Sequence, residues 1–173
     1  MGGWYLELKS FVLFATNFMT NTLTNACTYY NYDLDLGKKY GYLYNYYVAG
    51  DIRNVCPDGW HVPTQAEWTT LVDFAGGDSV AAPKLRVSGI SNWNSLYYTN
   101  ADNSTGFTAF GAGIRLKTGE YWGIDYNATF WTTTLCTDIE GFILGTRIFE
   151  NQPNIDFVGH PKNYGFSTRC LKN

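Results

Sequence analysis

The stretch CPDGWHVPTQAEWTTLVDFAGG, residues 56–77, sets a thiol, an imidazole and two carboxylates (Cys56, His61, Asp58 and Glu67) close together in its first twelve residues. Such groups can build a nucleophile with its base, or a metal site. Cys136 and His160 are a second thiol and imidazole that could in principle pair as nucleophile and base. The chain holds four cysteines (Cys27, Cys56, Cys136, Cys170) and two histidines, with no C-x-x-C spacing, so zinc is poorly served. Nothing in the sequence brings Cys136 to His160. With no second histidine nearby, His61 reads better as a largely buried ring whose nitrogens satisfy backbone groups. Asp58 reads as a turn residue. Four cysteines allow three full pairings, and spacing does not choose among them. No catalytic residue, metal or cofactor is expected.

The segment that carries these groups has a clear local structure. Thr64 and Glu67 form a T-x-x-E capping box, in which hydroxyl and carboxylate each satisfy the other's backbone N–H. Trp68, Leu71, Val72 and Ala75 follow at helical spacing, and Gly76-Gly77 supplies a stop. A second short helix is expected over residues 81–87. Residues 4–20 read as one or two strands, 21–39 as a loop-rich connection, and 40–49 as strand-like or irregular. From residue 89 onward, aromatics scattered among Gly, Asn, Ser and Thr predict short strands with long ordered loops. Residues 141–149, 154–159 and 164–172 read as three late strands. One main helix, a second short one and a small twisted antiparallel sheet make an α+β chain of one domain.

Composition narrows the class. The 173 residues are 45% hydrophobic and 18% aromatic, ample for one core. Charged residues make up only 16%, the net charge is −3, and no basic stripe is present, so nucleic acid is not an expected partner. The surface must then be rich in Tyr, Asn, Thr, Ser and Gly, a mixture suited to recognition and also to an ordinary turn-rich β domain. The apolar run at residues 11–19 is too short to span a bilayer and is broken by Thr16 and Asn17. It lacks the flanks and cleavage site of a signal peptide and reads as a strand.

The ordered series YGYLYNYY, CPDGWHVPTQAEWTTL, KLRVSG…WN, GFTAFGAGIRLKTGEYWGI, FWTTT and YGFSTRCLKN resembles the Fibrobacter succinogenes major paralogous (FISUMP) domain, strongly over residues 40–173 and loosely before. The resemblance implies a C-type-lectin-like fold, related to that of formylglycine-generating, sulfatase-modifying enzymes, with HVPTQAEW similar to their LPTEAEW. It implies surface or secreted settings, and kinship with variable proteins of diversity-generating retroelements. It also implies a Cys56–Cys170 disulfide, closing a long loop for about 4 kcal/mol. Cys27 and Cys136 fall outside the family motifs and are free or paired with each other, the former preferred. The enzyme relatives use late cysteines, but no matching constellation is present here. QPN at residues 152–154 and WNS at 93–95 are similar to calcium-lectin motifs in reversed order and without enough carboxylates. Both read as coincidence, and DNSTG at 102–106 as a turn.

The stronger candidate is a face. In LGTRIFENQPNIDFVGHP, Ile148, Ile155 and Phe157 are expected inward, and Arg147, Phe149, Asn154, Asp156, Val158 and His160 outward. Phe149 beside Arg147 and Asp156 is a mixture that makes binding hot spots. Trp122, Asp125, Tyr126, Thr137 and Asp138 are expected to border the same surface. In the lectin-like variable proteins recognition lies on this C-terminal sheet. The expected function is therefore non-enzymatic recognition of a cell-surface glycan or protein, without membrane insertion, as a homo-oligomer or attached to a larger fibre. The settings are a bacterial adhesin or a phage receptor-binding tip. The Met start, the absence of a visible signal peptide and abundant Asn and Tyr favour the phage. The rivals are a sulfatase-modifying-type enzyme and a purely structural fibre module.

Overall fold

The computed structural model describes residues 26–89, 92–94 and 101–173, together with the backbone of residues 16–17. The elements run β1 (Thr16–Asn17), β2 (Ala26–Thr28), a 3-10 turn (Tyr30–Tyr32), α1 (Leu34–Tyr40), β3 (Leu43–Tyr44), α2 (Tyr46–Ala49), β4 (Trp60–His61), α3 (Gln65–Phe74) and α4 (Ala81–Leu85). Then follow β5 (Ala112–Arg115), β6 (Tyr121–Ile124), β7 (Asn127–Leu135), β8 (Ile143–Phe149), β9 (Ile155–His160) and β10 (Leu171–Lys172). The chain is α+β, with four α-helices among the described residues. The strand expected over residues 11–19 lies outside them except at Thr16–Asn17, which pair parallel with Ala26 and Cys27. No helix among the described residues is long and apolar enough to cross a membrane.

The main helix forms as its residues dictate. Thr64 Oγ1 accepts from the Glu67 N–H at 3.3 Å, and Glu67 Oε2 accepts from the Thr64 N–H at 2.8 Å. Trp68, Leu71, Val72 and Ala75 are all buried. Gly76 and Gly77 leave the helix at φ of 104° and 96°, open to glycine without strain. The second helix, α4, ends two residues earlier than expected, at Leu85.

Two further helices stand where a loop and a strand-like or irregular segment were expected. In α1, Asp33 accepts from the N–H groups of Asp35 and Leu36 at 2.8 and 3.2 Å. The helix buries none of its residues fully and sets only Leu36 and Tyr40 against the core, too short an apolar stripe to read from sequence. In α2, Asn45 is fully buried and caps the Val48 N–H at 3.2 Å while also accepting from Ala26 at 3.2 Å. Its Tyr-Tyr-Val sequence has strand propensity, which the cap overrides.

The large sheet has the order β6-β5-β7-β8-β9. It is mixed rather than antiparallel: β7 pairs parallel with β5 at Gly113–Ala128. The hairpin to β6 turns the chain back on the outer side of β5, so β7 returns in the direction of β5. One face of the sheet, with Ala128, Phe130, Ile148 and Ile155, packs on α3 and α4. Trp68, Phe107 and Phe130 form its aromatic centre, with ring centroids 5.3 to 5.7 Å apart. The opposite face packs Trp131, Ile143 and Ile114 against Ala49 and Phe166. Burial on both faces explains why β7 reads NATFWTTTL without a clean alternation.

The late strand expected over residues 164–172 is confined to β10, which pairs antiparallel with β4. Residues 165–167 instead exchange backbone bonds with three different elements. Gly165 pairs with Arg115 of β5, Phe166 with Tyr44 of β3, and Ser167 with Phe130 of β7. A segment that changes partner at every residue forms a wedge and cannot extend one ladder. The disulfide joins Cys56 to Cys170 across a separation of 114 residues, and Cys27 and Cys136 are free thiols.

Candidate functional site

The register of the sheet fixes which side chains share a face. Arg147 lies opposite Asp156, Gly145 opposite Val158, and Ile143 opposite His160. Across β7, Thr129 lies opposite Arg147 and Asn127 opposite Phe149. Ile148 and Ile155 are buried in the α3/α4 core, and Phe157 packs half-buried against it. The opposite face therefore carries Arg147, Phe149, Asp156, Val158 and His160.

At the end of this face near the β8–β9 turn, four side chains touch in sequence. Arg147 Nη2 donates to Asp156 Oδ2 at 3.2 Å, and the guanidinium carbon lies 5.2 Å from the Phe149 ring centroid. Asn154 Nδ2 donates to the other carboxylate oxygen at 2.7 Å. The Arg147 and Asp156 side chains keep 29% and 33% of their accessibility, so the pair stays in reach of solvent. The turn itself is clamped from below. Arg86 at the end of α4 donates to the carbonyls of Glu150 and, at 2.8 Å, of Gln152. Ala82 N–H donates to the Pro153 carbonyl at 3.0 Å, and Ile155 N–H to that of Asp78 at 3.1 Å. This clamp is the structural role of the QPN segment. Trp93 of the WNS segment is buried and donates to the Ala109 carbonyl at 3.1 Å, whereas Ser95 lies outside the described residues.

His160 departs from the outward orientation expected of it. Its ring folds over Gly145, where a Cβ would lie 3.0 Å from Cδ2, and packs 4.7 Å from Phe166 and 5.9 Å from Tyr164. Burial, with the positive charge of Arg147 beside it, pushes its pKa down to about 4. The ring is therefore neutral at pH 7, and its Nε2 has no hydrogen-bond partner. The C-terminal wedge covers this half of the face, so the half bearing Arg147, Phe149, Asn154 and Asp156 is the open one. Val158 is half-buried between them.

The bordering residues divide into two groups. Trp122 and Tyr126, 52% and 45% exposed, flank the β6–β7 turn. The Glu150 N–H donates to the Tyr126 carbonyl at 2.9 Å, which sets this turn beside the end of β8. Asp125 holds the turn: its N–H donates to Gly111 at 2.7 Å, its carbonyl accepts from Asn94 at 2.8 Å, and its carboxylate accepts from Tyr40 Oη at 2.5 Å. Asp125 is thus structural, at a φ of 63°. Thr137 and Asp138 are exposed in the β7–β8 connection, at the other end of the seven-residue β8. Strand rise separates that end from Phe149 by about 20 Å, so these two do not border the Arg147 cluster.

The residues first considered for chemistry have other partners. Gly159 passes so close to Cys136 that a Cβ there would lie 2.6 Å from Sγ, while His160 turns toward Phe166. His61 is neither buried nor satisfied by backbone. Its Nδ1 meets Asn173 Oδ1 at 2.6 Å and its Nε2 meets Glu67 Oε1 at 2.8 Å. Among the described residues no group of three or more His, Cys, Asp or Glu could hold a metal ion. Two buried residues that sequence reasoning missed sit at the edge of this face. Asn127, 2% exposed, lies under Gly123, and Glu150, 8% exposed, has its carboxyl pKa raised by burial against the pull of Arg86. Neither carries a sequence signal, because both look like surface residues at strand ends.

No curated protein and no solved structure matches the chain. The family model of the Fibrobacter succinogenes major domain does: it spans residues 9–172, taking in most of the segment where the resemblance is loose, and the chain belongs to that family.

Proposed function

We propose that this chain is a non-enzymatic ligand-recognition domain with a C-type-lectin-like fold, and that its ligand is a cell-surface glycan or protein. The observation that carries this reading is the contact series Asn154–Asp156–Arg147–Phe149 at the open end of β8 and β9. A cation, a carboxylate and an aromatic ring are held there before any ligand arrives. Preorganised Arg and aromatic groups lose little entropy on binding, and such residues dominate interface energetics. Exposed Trp122 and Tyr126 on the adjoining rigid turn extend the same surface. The reading places the protein on a cell or virion surface, as an adhesin module or the receptor-binding tip of a phage, with retroelement diversification of the face as its most specific form.

Glycan and cell-surface protein arrays probed with wild type, Phe149→Ala and Asp156→Ala test it. Wild type should bind a defined ligand, and each substitution should weaken that binding at least about tenfold. Absence of any ligand, or binding indifferent to both changes, removes this face. A peptide-oxidising activity abolished by Cys136→Ala would transfer the assignment to the enzyme class.

A further inference from the structure

His61 stands between two acceptors from distant parts of the chain. Nδ1 is 2.6 Å from Oδ1 of Asn173, just after β10, and Nε2 is 2.8 Å from Oε1 of Glu67 in the first turn of α3. A neutral imidazole has one N–H, and the imidazolium has two. Both contacts are donated together only by the charged ring. Glu67 uses its second oxygen separately, accepting from the Thr64 N–H at 2.8 Å and from the Thr64 hydroxyl at 2.9 Å, so the helix cap does not depend on the histidine.

We propose that His61 is a proton-operated latch: protonated, it donates to the side-chain oxygen of Asn173 and so fastens β10 onto the start of α3, and on losing its proton it gives up that oxygen while keeping Glu67, so that Asn173 holds only if its amide turns to donate instead. The neutral ring retains the carboxylate because a hydrogen bond to a charged acceptor is the stronger of the two. What remains to hold the segment is the two-residue β4–β10 ladder, the Asn173 N–H bond to the Gly59 carbonyl at 3.0 Å, and the disulfide at Cys170.

The groups around the ring agree with this. Glu67 is the charged side chain facing it from α3. Asp58, in the turn before β4, and Lys172, on β10, are its charged neighbours along the paired strands, and the Cys56–Cys170 bridge beside them carries no charge. The Asn173 contact raises the imidazole pKa above its ordinary value, burial opposes it, and the hydrogen bond and charge of Glu67 add to the rise. The latch is independent of the recognition reading.

NMR titration of the His61 ring nitrogens in the full chain tests the latch directly. Wild-type His61 should titrate above free histidine with both ring N–H groups present below its midpoint. Amide exchange at Leu171, Lys172 and Asn173 should accelerate about tenfold beyond its intrinsic pH dependence around the same midpoint. Glu67→Gln keeps a capping-box side chain at that position and should lower the His61 midpoint, and Asn173→Ala should lower it as well. The latch is overturned if His61 titrates at or below the free value, if neither substitution moves it, or if exchange in β10 ignores its titration.

Discussion

The ring of Phe166 lies 4.4 Å from that of Trp131, and the Trp131 indole N–H donates to the Tyr44 carbonyl at 2.6 Å. A residue of the C-terminal wedge thus completes a core whose other members come from β5, β7, β8 and α2. Phe166 is fully buried, so Phe166→Ala should cost about 3–5 kcal/mol. Urea unfolding followed by tryptophan fluorescence would measure it. A cost near that of a surface change would mean that the wedge is dispensable.

Gly145→Ala should destabilise although alanine orders the backbone more readily than glycine. The added Cβ would lie 3.0 Å from His160 Cδ2, 3.3 Å from Thr129 Cγ2 and 3.4 Å from Phe166 Cε2. Three fixed neighbours cannot all retreat, and overpacking of this kind costs about 1–3 kcal/mol. Thermal unfolding should report it, accompanied by a shifted His160 ring resonance.

His160 makes stability depend on acid. Its folded pKa, about 4, lies below its ordinary value of 6.5, so across that window the unfolded chain binds the proton and the folded chain does not. Its neutral burial contributes fully above pH 6.5 and is lost as pH falls toward 4, by roughly 3 kcal/mol over the window. His160→Phe should flatten that part of the stability profile in chemical denaturation at pH 4.5, 5.5 and 7. An unchanged profile would show that the ring is solvated.

Removing the Cys56–Cys170 bridge by the double serine substitution should lower stability by about 5 kcal/mol at most, the cost of freeing a loop that spans a separation of 114 residues. Cys27→Ser with Cys136→Ser should leave the disulfide in place. Mass spectrometry of alkylated protein would count two blocked thiols in wild type under non-reducing conditions, as the two free cysteines require.

Local chemistry was legible in the sequence where one element decides it. The capping box, the apolar stripe of α3 and its glycine stop involve neighbours within a few residues, and all three formed. The alternation in β8 and β9 was legible because Ile148 and Ile155 have a core to meet. Helix α1 was not, because beyond its Asp33 cap only the half-buried Leu36 and Tyr40 tie it to the core. The orientation of His160 was not, because it is imposed by Phe166 and by the missing side chain of Gly145. The disulfide followed from family resemblance and not from spacing. The position of Thr137 and Asp138 at the far end of β8 was within reach of sequence, since the expected strand over residues 141–149 already sets them a strand length from Phe149.

The wedge at residues 165–167 also dictates an order of events. Its backbone bonds reach Tyr44, Arg115, Thr129 and Trp131, and β10 then docks on β4. Beyond the direct β5–β7 pairing at Gly113–Ala128, the gap between these two strands is therefore filled only once residues 165–167 have left the ribosome. Such long-range closure folds slowly, on the millisecond-to-second scale of non-local topologies. Ribosome-stalled chains ending before residue 165 would expose Trp131 and the unpaired edges of β5 and β7, the surface that a chaperone would be needed to cover.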